Sequence, residues 1–201
     1  MEKVKIAVLV SGGGTNLQAL IDAEKKGIIS SGKIQLVVSS NKNAYALKRA
    51  EENGIESVAF HKPEMTQSEF EKAIIEKLTE KGIELIVLAG FLSILSKEFT
   101  NLYKDRIINV HPSLIPSFCG KGYYGLKVHE CALKKGVKVT GATVHFVNEI
   151  ADDGEIIMQK AVKVLKNDTP EKLQKRVMKQ AEWDILPKAT EKICKKLLGE
   201  R

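Results

Sequence analysis

The segment that joins the first apolar run to the first predicted helix limits the possible folds more than any other part of the sequence. Residues 4–10 are apolar apart from one lysine, as expected for a parallel strand buried on both faces, and a helix is predicted over 15–26. Between them stand Ser11, Gly12, Gly13 and Gly14. Glycines at this place let backbone N–H groups converge on an anion at the positive end of the helix, so the segment predicts a phosphate site. A tight turn capped by a threonine or asparagine side chain is the alternative.

The alternation of strand and helix continues through the first half of the chain. Further strands are predicted over 33–39, 57–60, 85–88 and 107–111, and helices over 44–53 and 125–135. Another helix is predicted between Thr66, which forms a capping-box signature with Glu69, and Gly82. This order predicts an α/β fold: a mostly parallel, doubly wound, Rossmann-like sheet with helices on both faces.

The second half changes character. Residues 138–147 and 155–164 predict two antiparallel strands joined by a polar turn. A last helix is predicted to begin at 169–170 and to bend or break at Pro187. We expect one domain over 1–201, because no linker or repeat divides the chain.

Composition narrows the function classes. The 32 basic and 25 acidic residues give a net charge of +7, but the lysines are scattered beside glutamates and no arginine-rich tract occurs. We therefore favour anionic small substrates or a solvated surface over nucleic acid. No stretch is long and apolar enough for a membrane span or a signal peptide, so a cytoplasmic location is expected. Cys119, Cys131 and Cys194 lack a C-x-x-C pair and predict reduced thiols.

Polar side chains gather around the predicted strand 107–111. Asn109 and His111 point to the same side of that strand, at the carboxyl end where open α/β sheets place ligands, and can converge on a carbonyl oxygen. A structural histidine is the alternative. His111, His145 and Asp152 are not at local metal-ligand spacing, so no metal is predicted. Cys119 is interpreted as a loop thiol, because nothing in the sequence places a base beside it.

Taken together, several segments resemble phosphoribosylglycinamide formyltransferases over essentially the whole chain. They are KIAVLVSGGGTNLQAL, SNKNAYALKRAEENGI, LIVLAGFLSILS, INVHPSLIPSF, VKVTGATVHFV with the following Asp-x-Gly, and AEWDILP. The resemblance implies a formyltransferase fold with a phosphate-binding half over about 1–100 and a catalytic and folate-binding half over about 85–201. It also implies transfer of a formyl group from 10-formyltetrahydrofolate to the amine of glycinamide ribonucleotide in purine synthesis. Small-molecule partners, a monomer or homodimer and no metal are expected.

The resemblance also implies roles for individual residues. Residues implied to bind the ribonucleotide are Gly13, Gly14, Thr15, Asn16 and Glu182. Residues implied to line the folate site are Leu92, Ser93, Ile94, Leu95 and Asn109. The implied catalytic residues are Asn109, His111 and Asp152, with His145 in a supporting position. In the implied mechanism Asn109 and His111 act on the formyl oxygen, while Asp152 keeps the imidazole protonated and helps to relay the amine proton.

Two departures from the family pattern affect these expectations. Phe118-Cys119-Gly120 stands where members often have F-P-G, which leaves the role of the loop over 119–125 open. The acidic turn reads NEIADDG, and we choose Asp152 over Asp153 because it holds the Asp-x-Gly register, seven residues after His145. Formyltetrahydrofolate hydrolase and methionyl-tRNA formyltransferase share the fold, but both are expected to carry an extra domain. A phosphate-binding module without catalysis is the rival from another class.

Overall fold

A computed structural model describes residues 2–200 and contains a seven-stranded sheet in the order β3-β2-β1-β4-β5-β6-β7. The strands are β1 Val4–Val10, β2 Gly32–Ser39, β3 Glu56–Ala59, β4 Leu85–Leu88, β5 Ile107–His111, β6 Val139–Phe146 and β7 Ile156–Lys163. The first five strands run parallel, whereas β6 is antiparallel to both β5 and β7. The predicted antiparallel addition to a parallel sheet is confirmed.

Helices cover both faces of this sheet. They are α1 Thr15–Lys25, α2 Tyr45–Glu52, α3 Gln67–Glu80, α4 Lys97–Leu102, α5 Leu126–Lys135, α6 Pro170–Val177 and α7 Trp183–Gly199. A 3₁₀ turn at Lys62–Glu64 and a π-helical turn at Met178–Glu182 complete the elements. No helix in the described part of the chain is long and apolar enough to span a membrane.

The two faces of β1 enter two separate hydrophobic clusters, because successive side chains of a strand point to opposite sides. Ile6 and Val8 pack in a cluster with buried side chains of α1, α2, α5, α6 and α7. Ala7 and Leu9 pack on the other side with buried side chains of α3 and α4. Each β1 residue from Ile6 to Val10 is at most 1% exposed. The continuous apolar run at the start of the chain is therefore explained by burial on both faces.

Local sequence signals account for several helix ends. Thr66 accepts the backbone N–H of Glu69 while the Glu69 side chain accepts the N–H of Thr66, so the predicted capping box is present. The sequence analysis missed α4, although Ser96 caps it by accepting the N–H of Phe99. Its length of six residues leaves too little periodicity for a pattern to be recognised.

The last helix does not break at Pro187, a break being one of the two outcomes predicted there. Helix α7 continues through Pro187, and the irregularity lies upstream, in the π turn at Met178–Glu182. Proline cannot donate a hydrogen bond to the carbonyl four residues before it, here that of Trp183. The π turn ends at Glu182, so the irregular hydrogen bonding lies directly before Trp183, the residue to whose carbonyl Pro187 cannot donate.

Gly14 is required by the backbone and by packing. Its φ of 71° lies in the left-handed region, and a Cβ atom placed on it would lie 2.7 Å from Cβ and 2.9 Å from Cα of Ala46 in α2. Gly13 has no atom within 4 Å of an added Cβ.

We therefore expect Gly14→Val to lower the free energy of unfolding by at least about 1 kcal/mol, since it adds strain and a clash with helix backbone. Urea unfolding measures this change, with Gly13→Val as the matched control. Equal unfolding midpoints for the two variants would show that the contact with α2 does not restrict this position.

Candidate active site

Four polar side chains from β5, β6 and the turn after β6 meet at one place. Asn109 and His145 are cross-strand partners, and Asn109 Nδ2 lies 3.3 Å from His145 Nε2. Asp152 reaches both histidines, with Oδ2 3.4 Å from His111 Nδ1 and Oδ1 3.6 Å from His145 Nε2. The structure thus brings together the three residues expected to be catalytic and the histidine expected to support them. Asp153, the rejected neighbour, is exposed.

A loop after β5 closes over this cluster through its backbone. The Gly120 N–H donates to Asp152 Oδ2 at 2.8 Å, and His111 Nε2 lies 2.9 Å from the carbonyl oxygen of Phe118. Sequence reasoning left the role of this loop open, because backbone contacts carry no residue-type signal. Phe118 and Gly120 position the histidine and the carboxylate through their backbone groups.

Burial and hydrogen bonding set the protonation of the cluster. Burial acts to raise the pKa of Asp152, but His145, His111 and the Gly120 N–H together hold it below its ordinary value. Burial lowers the pKa of His111 below its ordinary value, and this effect outweighs the opposite influence of the Asp152 carboxylate. Burial of His111 therefore opposes the expected role of Asp152 in keeping the imidazole protonated. Desolvation, which depends on tertiary packing, was missing from that expectation.

A further histidine escaped the sequence analysis. His129 on α5 is fully buried, and neither ring nitrogen has a hydrogen-bond partner among the described residues. Burial and the neighbouring His111 lower its pKa to about 4, so His129 is neutral near pH 7. An apolar neighbourhood of this kind favours the neutral form of His111 as well.

The glycine segment presents its amide groups away from α2. The carbonyl oxygen of Gly12 accepts from the N–H of Ala46 at 3.1 Å, and that of Gly13 accepts from Arg49 Nε at 2.8 Å. In a planar trans peptide the N–H of the next residue points opposite to the carbonyl, so the N–H groups of Gly13 and Gly14 face the other side. No side chain caps α1, so the alternative of a side-chain-capped turn is not what forms.

Asn16 uses its side chain elsewhere. Its Nδ2 donates to Glu182 Oε2 at 2.8 Å, which joins the start of α1 to the π turn. Glu182 is buried, and burial raises its pKa to about 7, while the bond from Asn16 acts in the opposite direction. Asn16 Oδ1 is buried and has no hydrogen-bond partner within residues 2–200. The two residues therefore form a buried polar pair with one unused acceptor beside the glycine segment.

In the segment after β4, residues 92–95, some side chains are exposed to solvent and one packs in the core. Leu92 and Ile94 are each 65% exposed, and Ser93 is partly buried. Leu95 is 6% exposed and packs in the cluster beneath α3 and α4. Of the four expected folate-site residues in this segment, only the first three offer their side chains to a ligand.

Within residues 2–200, no group of three or more histidine, cysteine, aspartate or glutamate residues is arranged to hold an ion. Cys119 lies in the loop beside Asp152, and burial together with the two neighbouring aspartates raises the pKa of its thiol. It is therefore a poor nucleophile.

Comparison with known proteins connects this arrangement to a family. Residues 4–190 match the model of the family described as formyl transferase. The chain is 46% identical over 193 residues to the trifunctional purine biosynthetic protein adenosine-3 of Gallus gallus, covering 96% of this chain and 18% of that protein. It is 40% identical over 184 residues to phosphoribosylglycinamide formyltransferase of Haemophilus influenzae, covering 91% of this chain and 84% of that one. The chain therefore spans less than a fifth of the trifunctional relative.

A solved structure supports the same assignment. Glycinamide ribonucleotide transformylase 1 of Symbiobacterium toebii superposes with a TM-score of 0.90 at 37% identity, over 96% of this chain and 89% of that one. The predicted fold is thereby confirmed, including its antiparallel strands. Since the family match runs from the first residue of β1 into α7, this chain belongs to the formyl transferase family.

Proposed function

We propose that the protein transfers the formyl group of 10-formyltetrahydrofolate to the amine of glycinamide ribonucleotide in purine synthesis. The observation that carries the proposal is the meeting of an amide donor, a buried histidine and a carboxylate at Asn109, His111 and Asp152. Formyl transfer to an amine needs a donor for the developing oxyanion and a group that moves a proton, and these residue types supply both. The relatives named for this activity support the choice of substrates.

The glycine segment is the proposed phosphate site. The N–H groups of Gly13 and Gly14 face away from α2, and Thr15 and Asn16 begin a helix whose positive end has no side-chain cap. Backbone donors at a helix N-terminus favour a bound anion. Asn16 and Glu182 form a buried hydrogen-bonded pair next to this helix end, and they are the proposed partners of the ribose hydroxyl groups.

The folate is proposed to bind along the segment after β4. Leu92 and Ile94 expose large apolar side chains there, which is the kind of surface that a flat aromatic ring system covers. Strand β4 lies next to β1 in the sheet, so this segment and the glycine segment leave the same edge side by side. The two substrates would therefore approach each other across this edge.

The amide of Asn109 is the proposed donor to the formyl oxygen. His145 Nδ1 donates to the carbonyl oxygen of Phe146 at 2.7 Å, which orients the ring so that Nε2 lies 3.3 Å from Asn109 Nδ2 and 3.6 Å from Asp152 Oδ1. This contact turns the NH₂ end of the amide inward. Its second N–H is then available for the oxyanion that forms when the amine attacks.

Asp152 and His111 are proposed to move the proton. The ionised carboxylate takes a proton from the attacking amine, and His111 can share it because Nδ1 faces Asp152 while Nε2 faces a carbonyl oxygen. A neutral imidazole satisfies one of these two acceptors, whereas a protonated one satisfies both. As the new bond between carbon and the amine forms, the proton passes to the folate nitrogen, whose bond to the formyl carbon breaks. No proton is gained or lost over the cycle.

The remaining expectations stay predictions: one domain over the chain, a cytoplasmic location, a monomer or homodimer, and no role for nucleic acid, membrane or metal.

The proposed activity is tested by incubating the protein with 10-formyltetrahydrofolate in the presence and absence of glycinamide ribonucleotide. We expect tetrahydrofolate and the formylated ribonucleotide to appear together, and only when both substrates are present. Release of tetrahydrofolate and formate without the ribonucleotide would identify a hydrolase. Binding of the ribonucleotide without any turnover would identify a phosphate-binding module.

Gly13→Val is expected to raise the KM for the ribonucleotide at least about tenfold, because a side chain there enters the open space in front of the backbone donors. The KM for the folate should change much less. Steady-state kinetics with each substrate varied in turn measure both constants. Equal increases in the two values would show that the glycine segment is not a separate phosphate site.

Asp152→Asn is expected to lower kcat by about 100-fold or more, because the isosteric amide cannot accept the amine proton. Both KM values should change much less. The matched control is Asp153→Asn, which removes an exposed carboxylate from the same turn. Loss of activity in the control with normal kcat in Asp152→Asn would mean that the wrong aspartate has been assigned.

A further inference from the structure

Ser11 joins the glycine segment to the segment after β4 through two hydrogen bonds of opposite direction. Its backbone N–H donates to the carbonyl oxygen of Gly90 at 3.1 Å, and its side-chain Oγ accepts the N–H of Leu92 at 2.9 Å. Ser11 is the residue directly before the three glycines, and Leu92 is the first residue of the proposed folate segment. A single side chain thus connects the two proposed substrate sites.

The hydroxyl of Ser11 has a second partner, the hydroxyl of Ser40. Its Oγ lies 2.7 Å from Oγ of Ser40, which is 8% exposed and whose N–H donates to the carbonyl oxygen of Val10 at 3.1 Å. Ser40 follows β2 directly, so the contact ties the hydroxyl to the neighbouring strand of the sheet. Because Oγ already contacts Leu92 and Ser40, it is engaged inside the protein rather than offered to a ligand.

The far end of the folate segment is anchored separately. Glu71 of α3 accepts the N–H of Ser96 at 2.6 Å and its hydroxyl at 2.5 Å, and Gln67 donates to the carbonyl oxygen of Ile94 at 3.0 Å. The segment is therefore fixed to α3 at its end and to Ser11 at its beginning. Of these anchors, Ser11 is the one that also belongs to the glycine segment.

We propose that Ser11 is a positioning residue that couples ribonucleotide binding to folate binding. This inference rests on the function proposed above. A phosphate held by the N–H groups of Gly13 and Gly14 fixes the short segment that begins at Ser11, and the Oγ contact fixes the start of the folate segment in turn. Folate that binds after the ribonucleotide therefore meets a folate segment whose position is already fixed, so less ordering is needed on binding. Coupling of this kind is reciprocal, so each substrate tightens the binding of the other by the same factor.

The test measures the Kd of tetrahydrofolate by calorimetry with and without saturating glycinamide ribonucleotide. We expect the ribonucleotide to tighten binding by about fivefold or more in the unaltered protein, and Ser11→Ala to bring the ratio of the two Kd values close to one. If the calorimetric fit includes the fraction of active protein, the ratio of the two Kd values does not depend on how much of the variant is folded. In kinetics, Ser11→Ala should raise the folate KM far more than it lowers kcat.

Two further variants separate coupling from a merely structural role. Ser11→Thr keeps the hydroxyl and should restore the ratio, and Ser40→Ala removes the second partner but leaves the bond to Leu92, so it should retain most of the ratio. A ratio near one in the unaltered protein, or an unchanged ratio in Ser11→Ala, overturns the inference. If the unaltered protein binds both ligands in either case, the proposed function stands. If it binds neither ligand, the proposed function fails together with the inference.

Discussion

The contacts of the Asp152 carboxylate determine how the candidate site is assembled. This one group accepts the N–H of Gly120 and lies within 3.6 Å of nitrogen atoms of His111 and His145. These partners belong to β5, β6 and the loop after β5, so the carboxylate connects three segments that are distant along the chain. A carboxylate with a side chain only 14% exposed stays charged only if such partners offset its loss of hydration. The site therefore depends on all three being in place.

The sheet supplies the rest of the arrangement. Strands β1, β4 and β5 are neighbours and run in one direction, so the segments that follow them emerge at the same edge. Burial of β1 on both faces anchors this edge to the core, because its side chains pack in both hydrophobic clusters. The groups that face the ligand lie in glycines and short loops after the strands, where backbone groups can contact the ligand directly. A fold of this kind fixes the positions of groups that must act together on two substrates.

Much of this fold follows from local patterns in the sequence. The apolar run of β1 and the capping box at Thr66 are determined by neighbouring residues and were predictable. The π turn before α7 was not, since it depends on how Pro187 is accommodated at a packed helix. The resemblance to a family predicted that Asp152 and His111 belong to one site. The lowered pKa of His111 follows from its burial in the folded protein, which no local sequence pattern indicates. The link made by Ser11 was missed for the same reason, because a serine hydroxyl gives no sign of its distant partners.

The central claim is that Asp152 and His111 act as one proton-transfer unit, and a double-mutant cycle on kcat tests it most directly. The measurement compares Asp152→Asn, His111→Ala and the double variant, each at saturating concentrations of both substrates. If the two residues act as a unit, the double variant is scarcely slower than the slower single variant, because the first substitution already removes the shared function. If the losses in the two single variants instead multiply in the double variant, the residues contribute independently and the account of a shared proton is contradicted.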